Sequence, residues 1–496
     1  MTGTAGETGD SPPPAPGYLR TKVLRGGAYL FIRQFLSLGL SLVGVFVITR
    51  VIGPEHYGAF VAANGIYLYL QNLGQVGVDV YLVRQPGNVA EREYNVASTF
   101  LLAAGLLGIL LVEAGTGLLS GWVEIAGFEP LLRVMIFALP VQLMAIAASA
   151  RLERALDYRR VAAIELLGQA SSYVIAVPLA LEGFGGWSLV AGWIVQQAVV
   201  CTMFHWAASY VPRLRIDWTI VPKMLSYTFG FSLVTWSWQL RALVNPLIVG
   251  HFLGATAVGQ IGMAIRIVEV LTFVKAIAWR LSVATLSRIQ HDKRKLQDAV
   301  TQGMELQTLA LAPALLGFSW LGGLFLPQLL GARWSPILVV FPFIAVSYLT
   351  NAQFNMHSSV LAVFRKNYET TLFCIIHIIM FAGGAAICVQ YVGLAGYGWG
   401  EMIALASYYV LHYLAVGIVG SINYRVAAIW WGGTVLGLFW HQLGVWAIAM
   451  PFVALLWPES VRRLRNLYYA SAVMLVAIGG TGMWQLGRER AAATSQ

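Results

Sequence analysis

Four charged residues lie inside two long apolar runs that together cover Tyr227 to Leu281, namely Arg241, Arg266, Glu269 and Lys275. Each run is long enough to cross a bilayer as a helix, which takes roughly 20 residues. A charge near the bilayer centre costs at least about 2.5 kcal/mol, so such side chains usually face a bundle interior or an aqueous cavity. The four charges sum to +2. That balance favours the binding of an anion in a cavity of low dielectric constant.

The spacing of these residues places them at similar depths. Ala255 lies in the turn between the two runs, 14 residues after Arg241, while Arg266 and Glu269 follow it by 11 and 14 residues. With about 1.5 Å of rise per helical residue, all three charges fall near the middle of the membrane. A simpler alternative is that Arg266 and Glu269, three residues apart, neutralise each other. Lys275 has its own alternative, in which its ammonium group extends toward the cytoplasm.

Other polar side chains in or near apolar runs are weaker candidates. Arg33 in the first run and Asp79 near the end of the second either guard an inner gate or extend to the interface. Trp236 and Trp238 offer aromatic faces to sugars, with anchoring at the membrane interface as the alternative.

The histidines and cysteines within apolar runs give no metal-ligand pattern. His357 and His377 are candidates for carrying protons, with hydrogen-bonded packing as the alternative. Cys201, Cys374 and Cys388 are too widely separated for a metal site and are interpreted as buried small hydrophobes.

Composition places the chain among multi-span membrane proteins. Its 496 residues are 58% hydrophobic and 11% charged, with a mean hydropathy of +0.70. Residues 1–17 are small, polar and proline-rich, which predicts a disordered tail rather than a signal peptide. The net charge of +10 follows alternate loops, as membrane topology requires, and so does not indicate a nucleic-acid partner.

Twelve apolar runs predict twelve membrane-spanning helices, at residues 28–50, 57–81, 95–119, 131–150, 161–181, 187–209, 227–252, 256–279, 299–329, 336–363, 368–392 and 397–420. Twenty Lys and Arg residues fall in the alternate segments that begin with the N-terminus, against Arg50, Arg133 and Arg333 in the others. This bias predicts that the N-terminus is cytoplasmic.

The C-terminal region is expected to add further spans, for about 14 in all. Residues 427–457 are interpreted as one crossing, because two arms of about 15 residues would be short for spans. That interpretation leaves Arg462, Arg463 and Arg465 outside the cell. A last run at 466–486 then returns Arg488 and Arg490 to the cytoplasm.

The chain contains an internal repeat. Residues 52–60 (Ile-Gly-Pro-Glu-His-Tyr-Gly-Ala-Phe) align with residues 253–261 (Leu-Gly-Ala-Thr-Ala-Val-Gly-Gln-Ile) at an offset of 201. At the same offset Arg50 matches His251. Six spans separate the copies, so both halves enter the membrane in the same orientation, as in known transporters with parallel repeats.

The predicted fold is therefore an all-α polytopic membrane protein. Two parallel six-helix repeats form a V-shaped bundle, and extra C-terminal helices follow. The predicted division comprises a tail (1–17), an N-terminal half (18–224), a C-terminal half (225–424) and the extra helices (425–496).

In these repeated segments the chain resembles the Wzx-like flippases of bacterial polysaccharide synthesis. They form a branch of the multidrug/oligosaccharidyl-lipid/polysaccharide exporter superfamily. The resemblance is carried by residues 51–58 (Val-Ile-Gly-Pro-Glu-His-Tyr-Gly) and 245–254 (Asn-Pro-Leu-Ile-Val-Gly-His-Phe-Leu-Gly), and it extends from about Arg20 to Tyr424. Many relatives have an acidic residue at the position of Asn245, so a cation-coupling role there does not carry over.

The resemblance implies a flippase of the bacterial cytoplasmic (inner) membrane. Its cargo would be a polyprenyl-diphosphate-linked oligosaccharide for lipopolysaccharide, surface polysaccharide or exopolysaccharide synthesis, moved by alternating access. Its partners would be that glycan, membrane lipids and the polysaccharide polymerase and export machinery. Guanidinium groups bind phosphate oxygens bidentately, which suits a diphosphate. The head-group candidates are Arg241, Arg266, Lys275 and Arg33, with Glu269 and Asp79 for coupling or pairing and Trp236 and Trp238 for glycan contacts.

Catalytic motifs are missing from the sequence. There is no Walker loop, HExxH or nucleophile elbow, so we expect no enzyme activity, cofactor or metal. One alternative is a cation-coupled multidrug exporter of the same superfamily. The other is a membrane-embedded polysaccharide polymerase or ligase, although the external loops are short for such an enzyme.

Overall fold

The structure, a computed structural model, describes residues 16–87 and 89–466. The described residues form helices and contain no β-strand. Long apolar runs favour this outcome, because in lipid the backbone N–H and C=O groups must be satisfied within the segment itself.

The α-helices of the first half of the chain are α1 (Pro16–Gln75), α2 (Val78–Arg84), α3 (Glu91–Val123), α4 (Phe128–Ile136), α5 (Ala138–Arg154), α6 (Tyr158–Leu181) and α7 (Gly186–Ala207). The next group is α8 (Val221–Gln239), α9 (Arg241–Val244), α10 (Gly250–Leu271), α11 (Val274–Ile289) and α12 (Lys293–Leu330). The last are α13 (Ile337–Gln353), α14 (Asn355–Val363), α15 (Asn367–Val392), α16 (Leu394–Ala404), α17 (Tyr408–Val419), α18 (Arg425–Leu438), α19 (Trp440–Leu443) and α20 (Met450–Leu456). A π-helical turn (Asn245–Val249) and 3₁₀ turns (Ala332–Trp334, Leu405–Ser407, Val445–Ala449) complete the set.

Ten helical segments of the described chain are long and apolar enough to cross a membrane, which makes this a multi-pass membrane protein. Two of them, Ile32–Gln75 and Val221–Leu271, have 44 and 51 residues. At about 1.5 Å per residue each exceeds the hydrocarbon thickness of roughly 30 Å twofold. Each long segment therefore covers two of the twelve predicted runs.

Both long segments are interrupted at glycines that match in the repeat. Gly53 has φ 76° and ψ 174°, and Gly254 has φ 76° and ψ −172°. This backbone region is essentially restricted to glycine, since a Cβ would clash there. Each glycine ends one helix and starts the next.

Two glycines just beyond these breaks bring helices into backbone contact. A Cβ on Gly58 would overlap the carbonyl of Ala255, and a Cβ on Gly259 would overlap the carbonyl of Pro54. Ala255 stands 201 residues after Pro54, and Gly259 stands 201 residues after Gly58. The contact is therefore reciprocal, which requires glycine at both positions.

The polypeptide divides into two compact units. The first comprises residues 1–263, 326–336 and 381–397, and the second comprises residues 264–325, 337–380 and 398–496. Arg241 belongs to the first unit, whereas Arg266, Glu269 and Lys275 belong to the second. The division predicted from the repeat, with boundaries at 224 and 424, concerns sequence symmetry rather than compactness and stays a prediction.

The segment predicted as a single crossing, residues 427–457, is instead a hairpin. Gly444, with φ 100°, reverses the chain between α19 and the following 3₁₀ turn. The return arm packs on α18 because Gly433 and Gly437 have no side chains to separate it from Met450 and Pro451.

The hairpin brings the chain back to its starting end. Arg425 at the start of α18 lies 3.3 Å from the carboxylate of Glu459, beyond the return arm. The prediction of one crossing is therefore wrong, and Arg462, Arg463 and Arg465 follow at the Arg425 end. The criterion of about 20 residues per span misled the interpretation, since these arms are shorter helices packed together through glycine.

The predicted last span, 466–486, lies outside the described residues except for its first residue, and so do Arg488 and Arg490. The predicted disordered tail, 1–17, also lies outside them apart from its last two residues, which begin α1.

Candidate functional site

Arg241 is held between aromatic rings of the first unit. Its guanidinium carbon lies 5.7 Å from the ring centroid of Trp238 and 5.6 Å from that of Phe381. Such cation–π contacts contribute roughly 0.5–2 kcal/mol each. They hold the guanidinium group of Arg241 in place beside the two aromatic faces.

The local helix geometry around Arg241 follows from a proline. Pro246 has no N–H to donate to the carbonyl of Ala242, and the chain passes into the π-helical turn Asn245–Val249. Asn245 is buried there, and its amide nitrogen donates to the carbonyl oxygen of Val258 at 3.1 Å. Within the described chain its amide oxygen accepts no hydrogen bond.

The two tryptophans considered as glycan contacts make contacts within the protein. The indole nitrogen of Trp236 donates to the carbonyl oxygen of Asn72 at 2.8 Å, and its ring meets Phe229 edge-on. The ring of Trp238 lies beside the guanidinium group of Arg241. A role in sugar binding stays a prediction for both residues.

In the second unit, Arg266 and Glu269 form an ion pair. The closest nitrogen and oxygen are 3.5 Å apart, and the two side chains are 45% and 46% exposed. The hydroxyl of Tyr348 also donates to the Glu269 carboxylate, at 3.4 Å. The spacing of three residues thus pairs the charges while both side chains remain open to their surroundings.

Lys275 is directed at α13 of the same unit. Its ammonium nitrogen donates to the amide oxygen of Asn351 at 2.8 Å and lies 4.7 Å from the ring centroid of Tyr348. Asn351 in turn donates to the hydroxyl of Tyr408 at 2.9 Å. These contacts hold the ammonium group of Lys275 against α13, and its role in head-group binding stays a prediction.

Tyr348 and Asn351 are the residues that sequence reasoning missed. Tyr348 touches both Glu269 and Lys275, and Asn351 fixes the lysine. Their spacing of three residues, inside the largely apolar helix α13, puts both on one helix face. In the sequence, this pair of polar residues three positions apart within an apolar run could have indicated a polar helix face.

Arg33 and Asp79, considered as gate residues, differ in their surroundings. Arg33 forms an ion pair with Glu165 of α6, which balances its charge. Asp79 lies in the first turn of α2, and its Oδ1 is buried with no hydrogen-bond partner in the described part of the chain.

The candidate proton carriers sit in hydrogen-bonded clusters of the second unit. His357 is fully buried and bonds through Nε2 to the hydroxyl of Tyr424, which lies 2.7 Å from Nδ1 of His412. Burial raises the pKa of the Tyr424 hydroxyl above its usual value. Nδ1 of His377 lies 2.9 Å from the hydroxyl of Ser407. In the described residues no group of three His, Cys, Asp or Glu side chains is placed to hold a metal ion.

An apolar cavity of about 230 Å³ lies beside the C-terminal hairpin in the second unit. Its walls come from α12, α18 and α20, with Leu316, Trp320, Trp430, Pro451 and Phe452 among the lining residues. Such a cavity fits a hydrocarbon chain better than a sugar or a phosphate.

Comparison with known proteins places the chain in a family. The family model described as "Polysaccharide biosynthesis protein" matches residues 47–339. The chain is 26% identical over 328 residues to the succinoglycan biosynthesis transport protein ExoT of Rhizobium meliloti (strain 1021). This match covers 66% of the chain and 66% of ExoT, just under two thirds of that relative's length.

A second relative and a solved structure extend the likeness over most of the chain. The lipopolysaccharide biosynthesis protein WzxC of Escherichia coli (strain K12) is 20% identical over 425 residues, covering 83% of this chain and 85% of WzxC. The lipid II flippase MurJ, in an inward closed conformation, superposes with a TM-score of 0.64 at 13% identity, covering 91% of this chain and 100% of that one. The MurJ likeness concerns the fold. The chain therefore belongs to the polysaccharide biosynthesis protein family, as its resemblance to the Wzx-like flippases implied, and has the fold of a polytopic membrane transporter.

Proposed function

We propose that this protein is a flippase that moves a polyprenyl-diphosphate-linked oligosaccharide repeat unit from the inner to the outer leaflet of the bacterial cytoplasmic membrane. The moved unit then serves lipopolysaccharide, surface polysaccharide or exopolysaccharide synthesis. The names of ExoT and WzxC, which refer to succinoglycan transport and lipopolysaccharide biosynthesis, support this cargo.

The observation that carries the proposal is the retention of cations within apolar helices. Arg241 lies beside the rings of Trp238 and Phe381, and Lys275 contacts the amide of Asn351 and the ring of Tyr348. Arg266 pairs with Glu269 at a distance of 3.5 Å that leaves both side chains nearly half exposed. A diphosphate needs such cations, because it cannot enter hydrocarbon without compensation of its charge. In this proposal Arg241 of the first unit, and Arg266 and Lys275 of the second, are each head-group contacts at some stage of the cycle.

The proposed mechanism is alternating access between two six-helix repeats. Matched backbone breaks at Gly53 and Gly254 support the repeat, and so does the reciprocal contact of Gly58 and Gly259. The proposed total of about 14 helices comprises the twelve repeated spans and the extra C-terminal helices, which begin with the hairpin.

The lipid tail of the cargo is assigned to the second unit. The apolar cavity along the hairpin is lined mainly by carbon atoms and lies between α12, α18 and α20. A polyprenyl chain would bury hydrocarbon there.

The orientation that suits this function has a cytoplasmic N-terminus. The bias of Lys and Arg supports it, and the hairpin adds Arg462, Arg463 and Arg465 to the cytoplasmic set. Transport rather than catalysis is the proposed activity. Membrane lipids and the polysaccharide polymerase and export machinery are the proposed partners.

The test is reconstitution into proteoliposomes with candidate lipid-linked glycans. Transfer between leaflets is measured with and without an imposed ion gradient. Cells without the protein should accumulate lipid-linked repeat units on the inner leaflet. Unpolymerised units on the outer leaflet would instead identify a polymerase or ligase, and efflux of small cations without glycan transfer would identify a multidrug exporter.

A further inference from the structure

A non-helical segment between α7 and α8 is fixed against the side of α3. This strap, residues 208–220, lies in the first unit. The Tyr210 hydroxyl and the backbone N–H of Arg213 both donate to Oδ1 of Asn95, each at 3.0 Å. The backbone N–H of Arg215 donates to the hydroxyl of Thr99 at 2.9 Å. Alternate residues of the strap therefore bond to α3, as in an extended chain.

The end of the strap is anchored by a buried acid. Asp217 forms an ion pair with Arg92 and accepts hydrogen bonds from the hydroxyl and backbone N–H of Thr219, at 2.7 and 3.0 Å. The Thr219 hydrogen bonds, with Arg92, hold the pKa of this carboxyl below its usual value. It therefore stays ionised at neutral pH, where its charge is balanced by Arg92.

The anchored strap directs large apolar side chains outward. Val211, Leu214, Ile216 and Trp218 are between 66% and 80% exposed. Apolar surface costs roughly 25 cal/mol per Å² when it faces water, and a segment tied down at several points cannot turn these side chains inward. These four side chains are therefore held facing outward, where an apolar environment outside the protein would cover them.

Positive charge accompanies this apolar surface. Arg213, Arg215 and Lys223 are exposed along the strap and the start of α8, and Asp217 is the one acid between residues 206 and 227. With Asp217 balanced by Arg92, the outward charge is about +3. Apolar side chains interleaved with basic ones fit the interface of a membrane that contains anionic lipid.

We propose that the strap is a docking surface for anionic phospholipid of the cytoplasmic leaflet. Val211, Leu214, Ile216 and Trp218 insert at the level of the head groups. Arg213, Arg215 and Lys223 contact lipid phosphates. The side of the membrane rests on the proposed orientation of the chain, whereas the binding itself does not depend on flipping.

The test measures lipid retained by the full-length protein in nanodiscs of phosphatidylcholine containing one quarter phosphatidylglycerol. Native mass spectrometry should show enrichment of phosphatidylglycerol on the wild-type protein. Because each basic side chain near an anionic surface is worth about 1 kcal/mol, R213Q/R215Q should lower that enrichment about tenfold or more. K293Q/R294Q, which removes two charges at the start of α12, should leave it unchanged. L214S/W218S should lower retention of both lipids.

The nature of the occupant is tested by cross-linking in cells. A photoreactive benzoylphenylalanine in place of Leu214 should label phospholipid. Labelling of a protein instead would overturn the proposal, as would equal loss of enrichment in K293Q/R294Q and R213Q/R215Q. Glycerol phosphate in solution should not compete with phosphatidylglycerol for the strap. Competition would show that the strap binds phosphate alone rather than phospholipid. None of these measurements requires transport, so their failure leaves the flippase proposal standing.

Discussion

Gly58 and Gly259 occupy reciprocal positions in one helix crossing. Gly58 lies against the carbonyl of Ala255, and Gly259 lies against the carbonyl of Pro54. A local two-fold relation between the repeats accounts for these contacts. Gly259 is the repeat equivalent of Gly58, and Ala255 is the repeat equivalent of Pro54, so each glycine makes the same contact in the other repeat. The crossing joins the starts of the helices that follow the two breaks.

Substitution of either crossing glycine should therefore destabilise the protein. A methyl group at Gly58 or Gly259 would overlap backbone atoms, which cannot move aside as a flexible side chain would. Forcing extra atoms into a packed site typically costs about 1–3 kcal/mol. We expect G58A and G259A to lower thermal stability in detergent by similar amounts. G39A is the control, since nothing lies within 4 Å of a Cβ there, and an equal loss in G39A would contradict the argument.

Arg241 should be required for transport rather than for folding. R241A removes a guanidinium group that is proposed to bond to the diphosphate of the cargo. A lost hydrogen bond to a charged group costs about 1.5–3 kcal/mol. Flipping in proteoliposomes should therefore fall about tenfold or more while the amount of inserted protein is unchanged. R241K should recover only part of the activity, because an ammonium group lacks the planar fork of guanidinium. Full activity of R241A would move the head-group site to Arg266 or Lys275, and full activity of R241A/E269Q would make the two charges structural.

Tyr348 allows its two contacts to be separated. Y348F removes the hydroxyl that bonds to Glu269 and keeps the ring beside Lys275. Y348L removes both. If positioning of Lys275 matters for head-group binding, Y348L should raise the apparent KM for the lipid-linked substrate as K275Q does, roughly tenfold, since a desolvated cation–π contact is worth up to about 2 kcal/mol. Y348F should stay near wild type, and an equal effect of both variants would assign the role to the Glu269 contact instead.

The ion pair between Glu305 and Arg463, which follows the C-terminal hairpin, should stabilise the fold. Glu305 is 4% exposed and lies 2.6 Å from Arg463, which is 25% exposed. R463Q leaves a buried carboxylate without a cation, a change that typically costs about 3 kcal/mol in the free energy of unfolding. R462Q, at an exposed neighbour, should stay within about 0.5 kcal/mol of wild type. Unfolding in detergent measures both, and a larger loss in R462Q would contradict the pairing.

Asp217 should make the stability of the first unit sensitive to acid. Its pKa is lowered in the folded protein, so the stability that it contributes is complete above the ordinary carboxyl value of 3.8 and is lost as the pH falls through the lower, folded value. The difference in thermal stability between wild type and D217N should therefore be constant from about pH 8 to pH 5 and shrink below about pH 4. A difference that already shrinks near neutral pH would show that another group is responsible.

The sequence was sufficient for the class of fold and for the pairing of Arg266 with Glu269, but not for the partners of Lys275. Hydropathy places Lys275 within an apolar run, and hydropathy is a local quantity. Its partner Asn351 is 76 residues away, brought close by packing that no periodicity records. The C-terminal hairpin was missed for a related reason, since a length criterion treats each helix alone and cannot register how Gly433 and Gly437 let two short arms pack together.

The ion pair of Arg33 with Glu165 has a consequence for biogenesis. The two residues are 132 positions apart in the chain. At about 5–20 residues per second, a ribosome needs roughly 7–26 s to synthesise Glu165 after Arg33. During that time the guanidinium group of the first helix has not yet met its carboxylate, and we expect the translocon or an insertase to stay in contact with that helix. Neutralising Arg33 should therefore shorten the contact of the nascent chain with the insertion machinery. We expect this effect even if loss of the ion pair with Glu165 makes the mature protein less stable.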